Sequence, residues 1–237
     1  MRYPSVREAV FLDRPNRFIA HVLLAGERVT VHVKNTGRCR ELLVPGVRVV
    51  LAAAAGEGRK TAWDLIGVYK ENARLFNIDS QAPNQAAAEW LASQSFDLVR
   101  REVAYGDSRF DFCMEKGRER WLLEVKGCTL EVGGVGYFPD APTLRGVKHL
   151  RELTSALREG WQSCLAFVIQ TEGVTEVLPN RETHPAFGEA LDAARKAGVR
   201  VLHLPCRVEP DRLEIIDVPE NRILAGGTAI LAVPGGI

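Results

Sequence analysis

The sequence predicts a mixed α/β protein in two parts, a small β-barrel followed by an α/β domain. Three observations predict it. The first seventy or so residues hold short apolar runs at close spacing, interrupted by one helical turn. From about residue 85 the order becomes helix, three strands, helix, strand, helix, strand. Between the two, residues 77–84 (Asn-Ile-Asp-Ser-Gln-Ala-Pro-Asn) break the pattern as a connection does. The expected bounds are 1–76 for the barrel and 85–220 for the second domain, with 221–237 an unassigned extension.

In the barrel, Phe18 to Leu24 and Val29 to Val33 are rich in β-branched and apolar residues, with Gly26 turning the chain between them into a hairpin. Pro45-Gly46 opens a strand over Val47 to Leu51, and another runs from Thr61 to Val68. A short helical turn over Arg38 to Leu43 separates the second and third of these strands, which makes the OB-fold the candidate barrel. The second part starts with a helix over Gln85 to Gln94, behind Pro83-Asn84. Strands follow at Leu98 to Tyr105, Arg109 to Met114 and Arg120 to Leu130, then a loop marked by Gly133, Gly134 and Gly136. Leu144, Val147, Leu150, Leu153 and Leu157 recur at helical spacing. Cys164 to Ile169 reads as a buried strand, Phe187 to Ala197 as a helix stopped by Gly198, and Val199 to Leu204 as a last strand.

Composition bounds the function. With 46% hydrophobic and 26% charged residues over 237 positions, the chain has material for a real core. Its longest purely apolar run, Val49 to Ala55, is far short of the roughly 20 residues that span a bilayer. Arg7, Glu8, Asp13 and Arg14 interrupt any signal-peptide core, so a cytoplasmic location is expected. Five scattered cysteines without a CxxC pair argue for reduced thiols rather than disulfides or zinc. A formal net charge of +1 excludes a uniformly basic protein. Charge is nonetheless uneven: Arg14 to Lys60 carries nine basic residues against three acidic ones. That +6 segment suggests an anionic partner. Arg14, Arg17, Lys34, Arg38 and Arg40 are the candidates for phosphate contacts, joined by Arg145 and Lys148 on the later helix.

The residues that carry chemistry lie between Arg109 and Lys126. A two-residue turn at Gly117-Arg118 places Asp111 opposite Glu124. Strand alternation then gathers Phe110, Phe112, Met114, Trp121, Leu123 and Val125 on one face. Asp111, Glu124 and Lys126 share the other. Two carboxylates on adjacent strands repel unless a cation offsets them, and Mg²⁺ or Mn²⁺ does so with carboxylates, waters and phosphate oxygens. Lys126 is placed to serve the attacking water or the phosphate. Asp, twelve intervening residues, then Glu-x-Lys is the pattern of PD-(D/E)xK nucleases, and the element order is the order of that restriction-endonuclease-like fold. The metal set is Asp111 and Glu124 with the Val125 carbonyl, and Glu102 on the preceding strand as a further carboxylate.

At these residues the chain resembles the sugar fermentation stimulation protein A family. The likeness runs through Arg14-Pro15-Asn16-Arg17-Phe18, Asn35-Thr36-Gly37-Arg38 and Tyr105 to Phe112. It continues through Glu124 to Leu130, Phe138-Pro139-Asp140-Ala141-Pro142-Thr143 and the helix with Lys148-His149-Leu150-Arg151. It covers roughly residues 5 to 218 and departs at His184-Pro185, where the family has Asp-Pro, and after about Asn221. The resemblance implies an N-terminal OB-fold, a nuclease-like domain, DNA binding, nuclease activity and a link to regulation of sugar-utilisation genes. The alternative is a non-catalytic DNA-binding regulator that keeps the nuclease fold. A scaffold without ligand is a weaker third reading, against which the +6 barrel counts. DNA is favoured over RNA as partner, and the oligomeric state is open, a homodimer included. Of the remaining residues, His149 and Asp140 read as structural, Asp140 as a helix cap or a partner of Arg145. Phe18 could stack a base, as OB-folds do with single strands, but reads first as an apolar strand position, and the four tryptophans read as core.

Overall fold

The computed structural model describes residues 1–224 except Thr36, Ala55, Glu57 and Asn72, so Thr36 of the Asn35–Arg38 turn and residues 225–237 of the expected extension lie outside the described residues. Strands β1 (Val6–Asn16), β2 (Ile19–Leu24), β3 (Glu27–Val33), β4 (Arg48–Ala53), β5 (Trp63–Lys70) and β6 (Arg74–Asn77) form a sheet in the order β3-β2-β1-β4-β5-β6. A parallel β3–β5 pairing closes the first five into an OB-like barrel around Phe11, Val22, Val31, Leu51, Leu65 and Phe76. Ala25 and Gly26, at φ 51° and 88°, make the left-handed turn that suits a two-residue hairpin. The expected helix over Arg38 to Leu43 is a turn only, closed by the Leu43 N–H on the Cys39 carbonyl at 2.9 Å. β1 and β6 are absent from the sequence reading. In β1 the charges at Arg7, Glu8 and Asp13 face outward while Ala9 and Phe11 are buried.

The second part opens with α1 (Ala82–Ala92). There follow β7 (Leu98–Tyr105), β8 (Ser108–Lys116), β9 (Glu119–Cys128), β10 (Leu130–Val132), β11 (Val135–Phe138), α2 (Leu144–Arg158), β12 (Gln162–Ile169), β13 (Val177–Pro179), α3 (Pro185–Ala197), β14 (Arg200–Glu209) and β15 (Arg212–Ile215). The main sheet has the order β15-β14-β12-β9-β8-β7, with β12 parallel to both β9 and β14. Helix α1 packs on one face with Phe112, Met114, Leu123 and Val125, whereas α2 and α3 cover the other with Leu122, Leu165 and Phe167. Both faces are therefore buried, as in central parallel sheets. The hairpin was expected to bury one face only. Phe110 also departs from that expectation, because it packs with Cys113 and Leu122 rather than with Phe112. All five cysteines are buried and unpaired, and among the described residues no helix is long and apolar enough to cross a membrane.

The chain begins in the second part. Met1 and Tyr3 are buried against α1 and β15, with the Tyr3 N–H on the Asp211 carbonyl at 2.8 Å. Residues 221–224 return to the same core: the Ile223 N–H donates to Gln94 Oε1 at 2.9 Å, and Ile223 is buried. The connection after β6 is packed rather than exposed, with Asn77, Ile78, Asp79, Ala82 and Pro83 all buried. Gln170 Nε2 donates to Asn77 Oδ1 and to the Asp79 carbonyl, both at 3.1 Å. Lys34 Nζ lies 2.9 Å from buried Asp79.

A second tie joins the β5–β6 hairpin to β10. Glu131 is buried; Lys70 Nζ lies 2.8 Å from its Oε2, Arg74 meets the same oxygen, and the Gly134 N–H donates to Oε1 at 2.7 Å. Burial alone would raise this carboxyl, but Lys70, Arg74 and Gly134 more than offset it and hold it at about 2. The folded value lies below the unfolded one, so the stabilisation is complete above about pH 5 and is lost as pH falls through about 2. Glu131→Gln is expected to cost about 3 kcal/mol in urea unfolding at neutral pH. The loss should shrink as the pH is lowered toward 2, and a pH-independent difference would contradict this account.

Candidate active site and nucleic-acid interface

The hairpin β8–β9 has the register expected from its two-residue turn. Lys116 pairs with Glu119, Met114 with Trp121 and Phe112 with Leu123. The paired positions end at Phe112–Leu123; Asp111 and Glu124 follow next on their strands, near enough for the Glu124 charge to raise Asp111. From there the partners diverge. Asp111 is partly buried; its Oδ2 accepts the Val125 N–H at 2.7 Å and its Oδ1 the Asn84 side chain at 2.6 Å. Asn84 stands in the first turn of α1, so the helix start reaches over the strand ends.

Glu124 is buried, 3% exposed, and faces α2. Its Oε1 accepts from Lys126 Nζ and from His149 Nδ1. The Arg145 Nε–H donates to His149 Nε2 at 3.2 Å, so the imidazole proton sits on Nδ1, toward the carboxylate. The His149 ring also packs on Phe110, with centroids 5.5 Å apart. Glu124 Oε2 is buried and, among the described residues, has no hydrogen-bond partner. An unpartnered carboxylate oxygen in such a place costs free energy unless something meets it.

The two carboxyls differ electrostatically. Burial and the Glu124 charge raise Asp111, with the Val125 N–H, Lys126 and Asn84 opposing. For Glu124 burial works upward, but the His149 hydrogen bond and Lys126 outweigh it, and the carboxyl is held below its usual range. Glu124 is thus the settled anion of the pair and Asp111 the more readily protonated one.

Glu102 is not brought into this group. It lies between the paired positions Arg101–Phe112 and Val103–Phe110, at a left-handed φ of 54° that breaks the regular run of β7. Its side chain is exposed and, among the described residues, makes no hydrogen bond or ion pair. Accordingly, no cluster of three His, Cys, Asp or Glu side chains able to hold a metal occurs among the described residues.

Of the expected phosphate contacts, Arg14 is engaged elsewhere: its guanidinium donates to the carbonyls of Arg17, Asn35, Gly37 and Arg38 at 2.7–3.0 Å. Lys34 is committed to Asp79. Lys148 Nζ donates to the Asp107 carbonyl at 2.7 Å and Arg145 reaches His149, though both residues are exposed. Arg17, Arg38 and Arg40 are exposed and, among the described residues, free of ion pairs. They line a barrel groove of about 670 Å³. Gly37 and Ala141 belong both to this groove and to a cleft of about 350 Å³ between the two parts. The floor of that cleft includes Pro83 and Gly127, the chain neighbours of Asn84 and Lys126.

Sequence reasoning missed Asn84 and took His149 as structural. For His149 a signal existed, since Arg145 and His149 are one helical turn apart in a helix rich in basic residues. For Asn84 nothing local announced the contact. Asp140 does not cap α2; Thr143 Oγ1 does, accepting the Gly146 N–H at 3.0 Å, while Asp140 lies against Gly37. His184, the departure from Asp-Pro, accepts the Thr143 N–H at 3.4 Å and so links the starts of α2 and α3. Phe18 is in the turn between β1 and β2, half exposed, and not in a strand.

Comparison with known proteins agrees with this architecture. Residues 12–78 match the family model of the SfsA N-terminal OB domain, and residues 81–212 that of the sugar fermentation stimulation protein RE domain. The chain is 50% identical over 229 residues to the sugar fermentation stimulation protein homolog of Desulfitobacterium hafniense (strain Y51), covering 95% of this chain and 100% of that protein. It is 44% identical over 227 residues to the homolog of Ruminiclostridium cellulolyticum, covering 94% and 100%. The solved structure of Pyrococcus furiosus SfsA in complex with Ca²⁺ superposes with a TM-score of 0.80 at 27% identity, over 91% of this chain and 94% of that one. Two matching domain models in the order of the two folded parts, and relatives alike from end to end, place the chain in the sugar fermentation stimulation protein family.

Proposed function

We propose that the chain binds nucleic acid across the barrel groove and hydrolyses phosphodiester bonds with a divalent cation held by Asp111 and Glu124. The observation that carries this reading is Glu124 Oε2, a buried carboxylate oxygen without a partner beside a second carboxylate and a lysine. The donor set fits a hard cation: two carboxylates and the Val125 carbonyl, with room for water and phosphate oxygens in the adjoining cleft. The Pyrococcus furiosus relative was solved with Ca²⁺, which favours the same oxygen ligands. Mg²⁺ or Mn²⁺ is the proposed ion here, and when bound it would neutralise phosphate charge and lower the pKa of its water.

The chain's own groups do the rest. The Val125 N–H and Asn84 fix the Asp111 carboxylate. His149 and Lys126 both take Glu124 Oε1, which leaves Oε2 as the ligand atom. Lys126, with its side chain 17% exposed, sits where its ammonium can position the water or stabilise charge on the attacked phosphate. Arg17, Arg38 and Arg40 hold the strand by its phosphates.

A second reading keeps its place on one observation: with Glu102 outside the group, two carboxylates remain instead of three. On that reading the protein is a DNA-binding regulator, linked to sugar utilisation, that retains the fold without the reaction.

Asp111→Asn and Lys126→Ala separate these readings. Asp111→Asn is expected to weaken Mn²⁺ binding in calorimetry and to abolish cleavage, while metal-free nucleic-acid binding holds or tightens. Lys126→Ala should keep Mn²⁺ binding and slow single-turnover cleavage about 10²–10⁴-fold. A parent that binds nucleic acid but shows neither Mn²⁺ binding nor cleavage would favour the regulator. His149→Leu should weaken Mn²⁺ binding about tenfold or more, and His149→Asn, which keeps an N–H near Nδ1, should recover part of it. Equal affinities in the two variants would remove His149 from the positioning of Glu124.

Arg17→Ala with Arg38→Ala is expected to make the log K against log salt slope less steep by about 1.4–1.8, two phosphate contacts at about 0.7–0.9 each. An unchanged slope and affinity would take these residues off the binding surface.

A further inference from the structure

We infer that the nucleic acid bound here is an unpaired strand, and that Phe18 is the surface on which one of its bases stacks. The inference rests on the nucleic-acid reading above. It starts from the placement of one ring. Phe18 is 50% exposed and is the single aromatic among the large apolar side chains that the described residues leave exposed. Its turn is held firmly. Asn16 Oδ1 accepts the N–H groups of Phe18 and Ile19 at 2.9 and 3.0 Å, and the Phe18 carbonyl accepts the Val33 N–H at 2.8 Å. Through its four carbonyl contacts Arg14 locks residue 17 of this turn onto the loop at residues 35–38. None of these bonds uses the ring, so the ring is displayed by a preorganised platform, and little ordering remains to be done on binding.

The surroundings suit a base and its phosphates. The Arg17 guanidinium lies 5.8 Å from the Phe18 ring centroid, and Arg17, Arg38 and Arg40 line the adjoining groove. The acidic residue of that groove, Asp13, is already engaged by His21 at 2.6 Å and Arg28 at 3.2 Å. Phe18 itself stands at the side of this groove, next to Arg17, and an exposed aromatic face beside a basic groove is an arrangement on which unpaired bases stack. In a duplex each base face is covered by the next pair, except at the ends, so a platform along the groove would find nothing to stack on.

The path toward Glu124 points the same way. Groove and cleft meet at Gly37 and Ala141. There the barrel loop and the loop before α2 close on each other: a Cβ on Gly37 would lie 2.8 Å from both Asn35 Oδ1 and Asp140 Oδ2. A path narrowed by such a contact suits one backbone rather than two. The Asp140 carboxylate at this point repels phosphates and keeps them on the side of the arginines.

The test is fluorescence anisotropy in the absence of metal, with labelled oligo(dT), oligo(rU) and a blunt DNA duplex of equal length. The wild type is expected to bind an unpaired strand more tightly than the duplex, and the dT and rU arms tell DNA from RNA. Phe18→Ala should weaken unpaired-strand binding about 5- to 100-fold while leaving the salt slope unchanged. Phe18→Trp should restore it and add an emission, relative to wild type, that oligo(dT) quenches. Duplex binding as tight as single-strand binding, or Phe18→Ala binding the oligomers as the wild type does, would overturn the inference and leave the nucleic-acid reading standing. Failure of the wild type to bind any of the three probes at low salt would overturn both.

Discussion

The fold of the second part is arranged around a pair of carboxylates, one oxygen of which no group among the described residues meets. Asp111 and Glu124 stand on the adjacent strands β8 and β9, and the Glu124 charge raises Asp111 through space. Burying two like charges side by side is unfavourable, and the surrounding elements answer it from three directions. The start of α1 brings Asn84, α2 brings His149 with Arg145 behind it, and β9 itself brings Lys126. Even so, Glu124 Oε2 stays unpaired. A fold selected for stability alone would replace this group with apolar side chains of similar volume, which is often neutral or stabilising. That the site is built this way is a reason to look for a ligand that completes it.

The hairpin carrying the pair was legible because its constraints are local. A glycine at φ 57° in a two-residue turn fixes the register, and alternation then assigns each side chain a face. The pairs from Lys116–Glu119 to Phe112–Leu123 follow from counting, and Asp111 and Glu124 come next on the two strands. What failed was the inference from pattern to surroundings. Large apolar residues on one face were read as the buried face, and the polar face as open. Cys113 and Leu122, small in number beside Arg and Glu, are buried just as fully, because α2 and α3 cover that side. Glu102 failed for a backbone reason. Alternation presumes extended φ, and a left-handed residue at the position facing Asp111 breaks the premise.

Contacts between parts distant in sequence were not legible. Met1 and Tyr3 in the core of the second part, Ile223 returning to it, and Gln170 bridging to Asn77 all join positions with no common motif. β1 was missed for a related reason. Only Ala9 and Phe11 of this strand are fully buried: Arg7 precedes them, Glu8 alternates outward, and the β1–β2 register shifts between Phe11 and Asp13, so the charges stay outside. Charge there speaks to the surface and not against the strand.

The same distinction governs the basic barrel. A count of nine cations against three anions suggested a broad positive surface, but counting ignores which charges are already answered. Arg28 faces Asp13, Arg48 faces Glu8, Arg59 meets Asp64 and Lys34 is held by Asp79, all acids outside the counted three. Arg14 keeps its charge but uses its donors on four backbone carbonyls. Screening and pairing remove most of what distant, matched charges contribute to a ligand's field. What persists is local. Among the described residues Arg17, Arg38 and Arg40 make no ion pair; they line one groove, beside the passage toward Lys126. The argument for an anionic partner is therefore stronger at these three positions than the net charge of the segment, and weaker everywhere else on the barrel.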